Sequence, residues 1–307
     1  MCYTWVMYNL CCISNDLKAK KISFQTMTWK RFNQLCDEHG TQYALNELGS
    51  RWLNNVQVTR SCIKHCAKQG WGYRVSSNLF PCLTHPDFSY YVSDVPQYNQ
   101  ILCVFNDIAK NNAWGVRLST HPSQFVVLAS ENKDAVGKSI VDLNHHGWVM
   151  DLLGCERSYE NPINIHINCT KGHLDDIADR FIANLNKCDK SVISRLVIEN
   201  EDKGCWNVLD LIRNFKIPVT FDTLHHKCNN PENLPEPSAM KMCASTWGKI
   251  KPLFHYSESH PDKPNPRCHA DMPIDCPPDF YADWDVELKQ KDFAIRECER
   301  FRKVING

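Results

Sequence analysis

The sequence predicts an α/β fold, a single (β/α)8 TIM barrel in which eight parallel strands alternate with helices. Its 307 residues, 43% of them hydrophobic, can bury one large core. Short β-rich apolar runs recur, and each is followed by a longer segment with helical periodicity. No internal repeat or linker divides the chain, so we expect one domain over residues 1–307.

The β-rich runs give eight predicted strands with the spacing of repeated βα units. These strands cover 6–13, 72–77, 115–120, 162–168, 195–200, 217–222, 252–257 and 283–287. Helical periodicity covers 27–48, 54–69, 97–112, 134–153, 173–187, 205–215, 237–248 and 288–304. The stretch 258–281 is rich in Pro, Asp and His and has no periodic pattern, so it is predicted to be a long loop over the site.

Composition limits the possible partners and compartments. The 35 basic and 35 acidic side chains cancel, so any affinity for DNA must be local. The 17 cysteines include no C-x-x-C pair, and we find no secretory signal and no apolar run of about 20 residues. We therefore expect free thiols, a cytoplasmic protein of a bacterial or host-cell cytosol, and no membrane association. Cys62, His65 and Cys66 resemble half a zinc site, but helical spacing explains them better.

Potential metal ligands lie at the carboxyl ends of six consecutive predicted strands, where a TIM barrel places its reactive groups. They are His121 after strand three, His166 in strand four, Glu199 at the end of strand five, Asp222 at the end of strand six with His225 just beyond, His255 in strand seven, and Glu287 at the end of strand eight. One such histidine alone is more often a hydrogen-bonded core residue. Imidazoles and carboxylates that converge in one mouth need cations between them, so six positions together predict metals.

The number of ligands exceeds the need of one ion. Glu199 is placed to bridge two ions, with His121 and His166 on one side. Asp222, His255 and Glu287 would complete the other site, and His225 and His269 remain for a third. Nitrogen and oxygen ligands suit manganese, zinc, cobalt or iron, with magnesium also open. Clustered divalent ions generate hydroxide and stabilise the leaving oxygen in phosphodiester hydrolysis, which predicts a nuclease.

Eight motifs, in order over nearly the whole chain, carry a family resemblance. They are CCISNDL at 11–17, SSNLFPCLTHP at 76–86, HPSQFVVLAS at 121–130, NIHIN at 164–168, LVIENEDK at 196–203, FDTLHH at 221–226, HYS at 255–257 and VELKQKD at 286–292. Together they resemble the UV damage endonuclease family. The resemblance implies a barrel related to endonuclease IV and up to three metal ions, with manganese the first choice. It also implies incision of double-stranded damaged DNA immediately 5′ of a UV photoproduct.

The resemblance also implies roles for individual residues. Glu199, Asp222, Glu287 and His225 match catalytic positions. The matching metal ligands are His121, His166, Glu199, Asp222, His225, His255, His269 and Glu287. Gln124 and Phe125 match the pair that probes the duplex at the lesion, and His85 matches another site histidine. We expect a monomer. The alternative for Phe125 is a purely structural role, as an apolar residue packed beneath its loop.

Two positions depart from the family pattern. Asn9-Leu10 stands where the family has Gly-Tyr, which leaves Tyr8 as the candidate aromatic partner in lesion probing. Leu253 stands where the family has a metal-binding lysine, two residues before the strand-seven histidine. We expect the second change to weaken or abolish a third metal site.

Three other functions compete with this interpretation. An endonuclease for abasic sites would use the same metal mouth with a different lesion pocket. A sugar isomerase of this fold would need a compact polar pocket with a lysine near the metals. Testing ketose formation would separate the isomerase from a nuclease. A catalytically impaired damaged-DNA binding protein would recognise lesions without nicking, and binding without nicking at saturating metal would support it.

Overall fold

The structure, a computed structural model, describes residues 6–306, so residues 1–5 and 307 of the predicted domain lie outside the described residues. Each of the eight predicted strands is present within its predicted range. They are β1 (Tyr8–Cys11), β2 (Gly72–Val75), β3 (Leu118–Thr120), β4 (Ile163–Ile165), β5 (Leu196–Glu199), β6 (Val219–Thr220), β7 (Leu253–Tyr256) and β8 (Asp283–Val286).

The strands form one parallel sheet that closes into a barrel. The order around the sheet is β6-β5-β4-β3-β2-β1-β8-β7, and every pairing is parallel. A parallel bridge between Asp222 and His255 joins the two ends of this order. The backbone N–H of His255 donates to the carbonyl oxygen of Phe221 at 2.8 Å. The predicted TIM barrel is therefore confirmed, and two predicted site residues lie where it closes.

Helices surround the sheet on its outer face. They are α1 (Asn15–Ala19), α2 (Trp29–His39), α3 (Thr41–Gln69), α4 (Tyr98–Lys110), α5 (Lys133–Leu152), α6 (Leu174–Leu185), α7 (Lys190–Ile193), α8 (Val208–Asn214), α9 (Thr223–Cys228), α10 (Glu236–Ser245) and α11 (Asp292–Asn306). The short helices α1, α7 and α9 were not predicted because four to six residues give too little periodic pattern.

The first helical pair breaks at a different place from the one predicted. The predicted helices 27–48 and 54–69 divide near Gly49, but the chain turns at Gly40, which has a φ of 88°, and α3 runs on without a break. A Cβ atom at Gly49 would lie 2.7 Å from Cβ of Val95. This glycine therefore allows close packing inside a helix and does not end one.

Alternate strand residues point into the barrel, and many of them are polar. At the amino end, Arg117 pairs with Asp283 at 2.8 Å, and Lys251 pairs with the same carboxylate at 2.6 Å. Higher up, Asn9 donates to Asp285 at 2.8 Å. The interior is thus lined with ionic and hydrogen-bonding groups up to the mouth.

Two further predictions concern loops and cysteines. The segment 258–281 contains neither a helix nor a named strand, as predicted, and it folds back so that Ser259 pairs with His269. Every cysteine in residues 6–306 is a free thiol. Cys62 and Cys66 are buried in the core, and His65 faces Asp292.

Candidate metal centre

Seven predicted site residues meet at the carboxyl mouth of the barrel. We call this group the mouth cluster, and it consists of His121, His166, Glu199, Asp222, His225, His255 and Glu287. Each follows or ends a strand, except His255, which lies within β7, and His225, which lies in α9. Asp222 caps α9 because its carboxylate accepts the backbone N–H of His225 at 2.7 Å. This cap fixes the two side chains on one helical turn.

Glu199 lies at the centre of the mouth cluster and is only 1% exposed. Its Oε2 lies 3.3 Å from Nε2 of His121 and 3.1 Å from Nδ1 of His255. The same oxygen lies 3.7 Å from Nε2 of His166, and Oε1 lies 3.1 Å from Nδ1 of His225. One buried carboxylate therefore faces four imidazoles, as expected for a group that bridges two ions.

Backbone carbonyls orient three of the histidines. Nδ1 of His121 donates to the carbonyl oxygen of Pro122 at 2.8 Å, and Nδ1 of His225 donates to that of Asn200 at 2.9 Å. Nδ1 of His269 donates to the carbonyl oxygen of Glu287 at 3.0 Å. Such bonds fix the tautomer and leave Nε2 as the free ligand atom, which is the usual support of a metal-bound histidine.

Three polar residues beneath the mouth cluster were missed by the sequence analysis. Arg74 donates to Glu287, and Asn164 donates to Glu199. Asp285 lies behind His255, with Oδ2 3.6 Å from Nε2 of the ring. All three lie inside strands, and their alternation with apolar residues was the only signal that could have found them.

The buried charges of the mouth cluster perturb one another. Burial opposes ionisation of Glu199, but the imidazoles of His255 and His166 hold its pKa well below the usual range. Burial would lower the pKa of His255, yet Glu199 and Glu287 raise it to about 9. Burial lowers the pKa of His166 to about 4 and raises that of Asp222. These carboxylates need a compensating positive charge, which a proton on His255 or a divalent cation can supply.

The donor set fits metal binding in three overlapping groups. Within each group the ligand atoms lie within 4.8 Å of one another: His121, Glu199 and His255; His166, Glu199 and His225; Asp222, His255 and Glu287. Nδ1 of His255 lies 3.1 Å from Oε2 of Glu199 and 3.1 Å from Oε1 of Glu287. This buried atom has no aligned hydrogen-bond partner within residues 6–306. A nitrogen placed between two carboxylates without a partner is what a cation site leaves.

The third predicted ion has weaker support. His269 lies near His225, with ring centroids 6.4 Å apart, but among residues 6–306 it belongs to no group of three close ligand atoms. Leu253 points into the barrel, is 2% exposed and packs with Val197. An apolar side chain therefore fills the place where the family pattern has a metal-binding lysine.

The predicted lesion-probing pair lies in the segment after β3. Phe125 is 78% exposed, so the alternative that it packs beneath its loop in a purely structural role is wrong. Gln124 is also exposed. Phe125 follows His121 by four residues, so their Cα atoms are at most about 14 Å apart. An exposed aromatic ring therefore lies close to the mouth cluster.

The other two predicted DNA contacts, Tyr8 and His85, pack against residues outside the mouth cluster. Tyr8 is 5% exposed, and its hydroxyl accepts a hydrogen bond from Nε of Arg302 in α11 at 3.2 Å. Its assignment as the aromatic partner was wrong, because Tyr8 faces outward where Asn9 faces the barrel. His85 is half-buried and stacks on Trp29, with ring centroids 4.8 Å apart. The structure does not bring it to the mouth cluster.

Fold and site together define a class: a TIM-barrel protein with a histidine and carboxylate cluster at its carboxyl mouth. The sequence matches the UV-endonuclease UvdE family over residues 7–305. Because this match spans nearly the whole described chain, the protein belongs to that family. Membership supports a DNA endonuclease of UV-damage repair, with DNA as its partner.

Individual relatives agree with this assignment. A UV DNA damage endonuclease of Bacillus pumilus is 26% identical over 298 residues, covering 92% of this chain and 90% of the relative. A UV-damage endonuclease of Neurospora crassa is 31% identical over 287 residues, covering 84% of this chain but 42% of that longer protein. A UV DNA damage endonuclease of Nostoc is 29% identical over 301 residues, covering 93% of this chain and 87% of the relative.

Solved structures match the barrel. The crystal structure of SacUVDE superposes with a TM-score of 0.79 at 26% identity, covering 98% of this chain and 99% of that one. Endonuclease IV from Thermus thermophilus superposes with a TM-score of 0.55 at 14% identity, covering 80% of this chain and 94% of that one. The second likeness concerns the fold alone. No helix within residues 6–306 has both the length and the apolar character needed to cross a membrane.

Proposed function

We propose that this protein recognises UV photoproducts in double-stranded DNA and hydrolyses the phosphodiester immediately 5′ of the lesion with the help of divalent metal ions. The observation that carries the proposal is Glu199, one buried carboxylate common to two groups of metal-ligand geometry. Family membership supplies the class of substrate. The exposed Phe125, a few residues from His121, supplies a group able to contact a distorted duplex.

The mouth cluster would hold two ions, with Glu199 between them. His121 and His255 supply nitrogen on one side of Glu199, and His166 and His225 on the other. When bound, divalent ions activate water, neutralise the phosphate oxygens and stabilise the leaving oxygen. Manganese is the proposed metal, and zinc, cobalt and magnesium are the alternatives for the same donor set.

The chain's own residues keep this centre ordered. Asp222 is fully buried, and Oγ of Ser257 donates to its carboxylate at 3.2 Å, so the group stays in one orientation. Arg74 holds Glu287 from beneath. His225 is anchored through Nδ1 to the carbonyl oxygen of Asn200, which fixes the orientation of its ring. Glu199, Asp222, Glu287 and His225 are therefore the proposed catalytic group.

DNA would lie across the mouth, with Gln124 and Phe125 beside the extruded bases. Wedging there must offset a few kcal/mol of unstacking. Exposed lysines and arginines near the mouth are proposed phosphate contacts, with His85 as a further contact; they are Lys18, Lys20, Lys21, Lys263 and Arg267. We further propose a single-domain monomer that acts in the cytoplasm.

Incision of a duplex with one thymine photodimer, in the presence of Mn²⁺, tests this function. Wild type is compared with Glu199→Ala and with Glu297→Ala, a change of a carboxylate on α11 that pairs only with Arg300 within residues 6–306. A nick 5′ of the dimer, lost in Glu199→Ala and kept in Glu297→Ala, is the expected result. Cleavage only at abasic sites would move the protein to that class of nuclease. Tight lesion binding without any nick would make it a recognition protein.

A further inference from the structure

In the segment 121–130, one exposed aromatic ring lies next to several buried residues. Phe125 is 78% exposed, while Val126, Leu128 and Ala129 are at most 2% exposed. A single exposed apolar side chain is common on protein surfaces, but Phe125 lies on the segment that leads from His121 of the mouth cluster. The orientation of the ring therefore depends on what holds the backbone beneath it.

Asn168, three residues after β4, holds this backbone on both sides of Phe125. Its Nδ2 donates to the carbonyl oxygen of Gln124 at 3.2 Å and to that of Val126 at 3.3 Å. Its own backbone has a φ of 53°, in the left-handed region that asparagine tolerates better than most residues. One amide therefore holds the peptide group that precedes Phe125 and the peptide group that follows Val126.

A buried carboxylate fixes Asn168 in turn. Oε1 of Glu201 accepts the backbone N–H of Asn168 at 2.7 Å, and Glu201 is 7% exposed. The backbone N–H of Glu201 donates to the carbonyl oxygen of Trp206 at 2.9 Å, which ties it to the chain that leads into α8. The hydrogen bonds that hold the backbone at Phe125 are therefore linked through Asn168 to the buried carboxylate of Glu201.

Other side chains hold the far end of the same segment. Nδ2 of Asn184 donates to the carbonyl oxygen of Leu128 at 2.8 Å, and Nε of Arg180 donates to that of Ala129 at 3.1 Å. These bonds lie three and four residues beyond Phe125. Asn184 therefore offers a comparison with the same chemistry at a place remote from the ring.

We propose that Asn168 is a positioning residue for lesion recognition, because its amide holds the backbone on either side of Phe125 and presents the ring to the duplex in one orientation. This inference rests on the proposed function and adds to it a residue whose side chain binds the backbone of the segment that carries Phe125. A ring on a loose loop would lose conformational freedom when it enters the duplex. Holding it beforehand removes that cost and strengthens binding to the distorted site.

The test compares binding to a photodimer duplex with binding to an undamaged duplex of the same sequence, in Mn²⁺. A methylphosphonate at the linkage 5′ of the dimer prevents hydrolysis. Asn168→Gly keeps the left-handed backbone and removes both side-chain hydrogen bonds. We expect the preference for damaged DNA to fall about five- to tenfold, in line with one or two lost hydrogen bonds. Asn184→Ala should keep the preference within about twofold, since its bond is remote from the ring.

A double-mutant cycle separates positioning from general destabilisation. If Asn168 acts through the ring, Asn168→Gly should change the preference by less than about twofold once Phe125 is alanine. Full additivity, or a wild-type preference in Asn168→Gly, would overturn the inference. Thermal unfolding checks that each variant is folded. A wild-type protein with no preference for the dimer would overturn the proposed function, and the inference with it.

Discussion

Two clusters of histidine and carboxylate lie within residues 6–306, and they differ in what their polar atoms already bind. The second, which we call the junction cluster, consists of Asp16, His65 and Asp292 and joins α1, α3 and α11. Asp292 accepts hydrogen bonds from Ser14 at 2.7 Å and from His65 at 2.9 Å. Arg296 donates to both oxygens of Asp16, at 2.8 and 3.1 Å. Its carboxylates are already neutralised and satisfied.

The mouth cluster and the residues beneath it have the same residue types, but some of their buried polar atoms lack a hydrogen-bond partner. Nδ1 of His255 and Oδ2 of Asp285 are buried and have no hydrogen-bond partner within residues 6–306. Arg74 is a basic neighbour there, and it faces Glu287 and Asp285 from beneath. Spacing alone therefore does not distinguish a metal centre from an ionic clamp. At the mouth, buried carboxylates face mainly imidazoles, so the cost of their desolvation must be compensated by a further positive charge.

The largest expected effect is at the shared ligand of the mouth cluster. Glu199→Gln keeps the shape of the side chain but removes the charge that faces four imidazoles. We expect Mn²⁺ affinity to fall by more than about 100-fold, beyond the loss seen when only a supporting residue is changed. Calorimetric titration with Mn²⁺ measures it. Unchanged Mn²⁺ binding would place the metal elsewhere.

A smaller effect on Mn²⁺ affinity is expected from a change at Asp285, which supports the ligand His255. Asp285→Asn removes the carboxylate that faces Nε2 of His255 and should weaken Mn²⁺ binding about 10- to 100-fold. Asp283→Asn is the matched control, because Asp283 is a buried carboxylate of the same strand that binds Arg117 and Lys251 at the amino end of the barrel. The control should lose stability and keep its metal affinity. Equal losses of affinity would mean that Asp285 only supports the barrel.

At the junction cluster we expect a loss of stability without a loss of metal. His65→Ala removes a donor to the buried carboxylate of Asp292 and should reduce the free energy of unfolding by about 1–3 kcal/mol. Urea denaturation gives the stability, and Mn²⁺ titration gives the affinity. A drop in metal affinity would show that the two clusters had been assigned the wrong way round.

The smallest effect concerns pH. Burial alone would raise the pKa of Asp292, but hydrogen bonds from His65 and Ser14 lower it. A depressed native pKa stabilises the fold above the unfolded value of about 3.9, and this contribution is lost as pH falls through the native pKa. The stability difference between wild type and Asp292→Asn should therefore be constant above about pH 4 and shrink below it. Urea denaturation at a series of pH values measures this difference. A difference that does not shrink below about pH 4 would contradict the prediction.

Much of the fold and of the mouth cluster could be predicted, because both depend on position along strands. The carboxyl ends of parallel strands meet at one edge, so His121, Glu199 and Glu287 could be placed together from the sequence. Gly49 could not be read correctly, because close packing against Val95 leaves no local pattern.

The remaining errors concern the direction in which a side chain points and contacts between residues far apart in the sequence. Tyr8 lies next to Asn9 on β1 but faces the opposite side of the sheet, and a sequence does not fix that parity when both faces are buried. Asn168 acts on a loop 42 to 44 residues away in the chain, which no local pattern records. Long-range contacts of this kind become visible only in the folded protein.

Diffraction from crystals soaked in Mn²⁺, with anomalous differences measured, tests the central comparison most directly. We expect anomalous peaks beside Glu199, between His121 and His255 and between His166 and His225, with none at Asp16, His65 and Asp292. A peak at the junction cluster, or a mouth cluster without any, would contradict it.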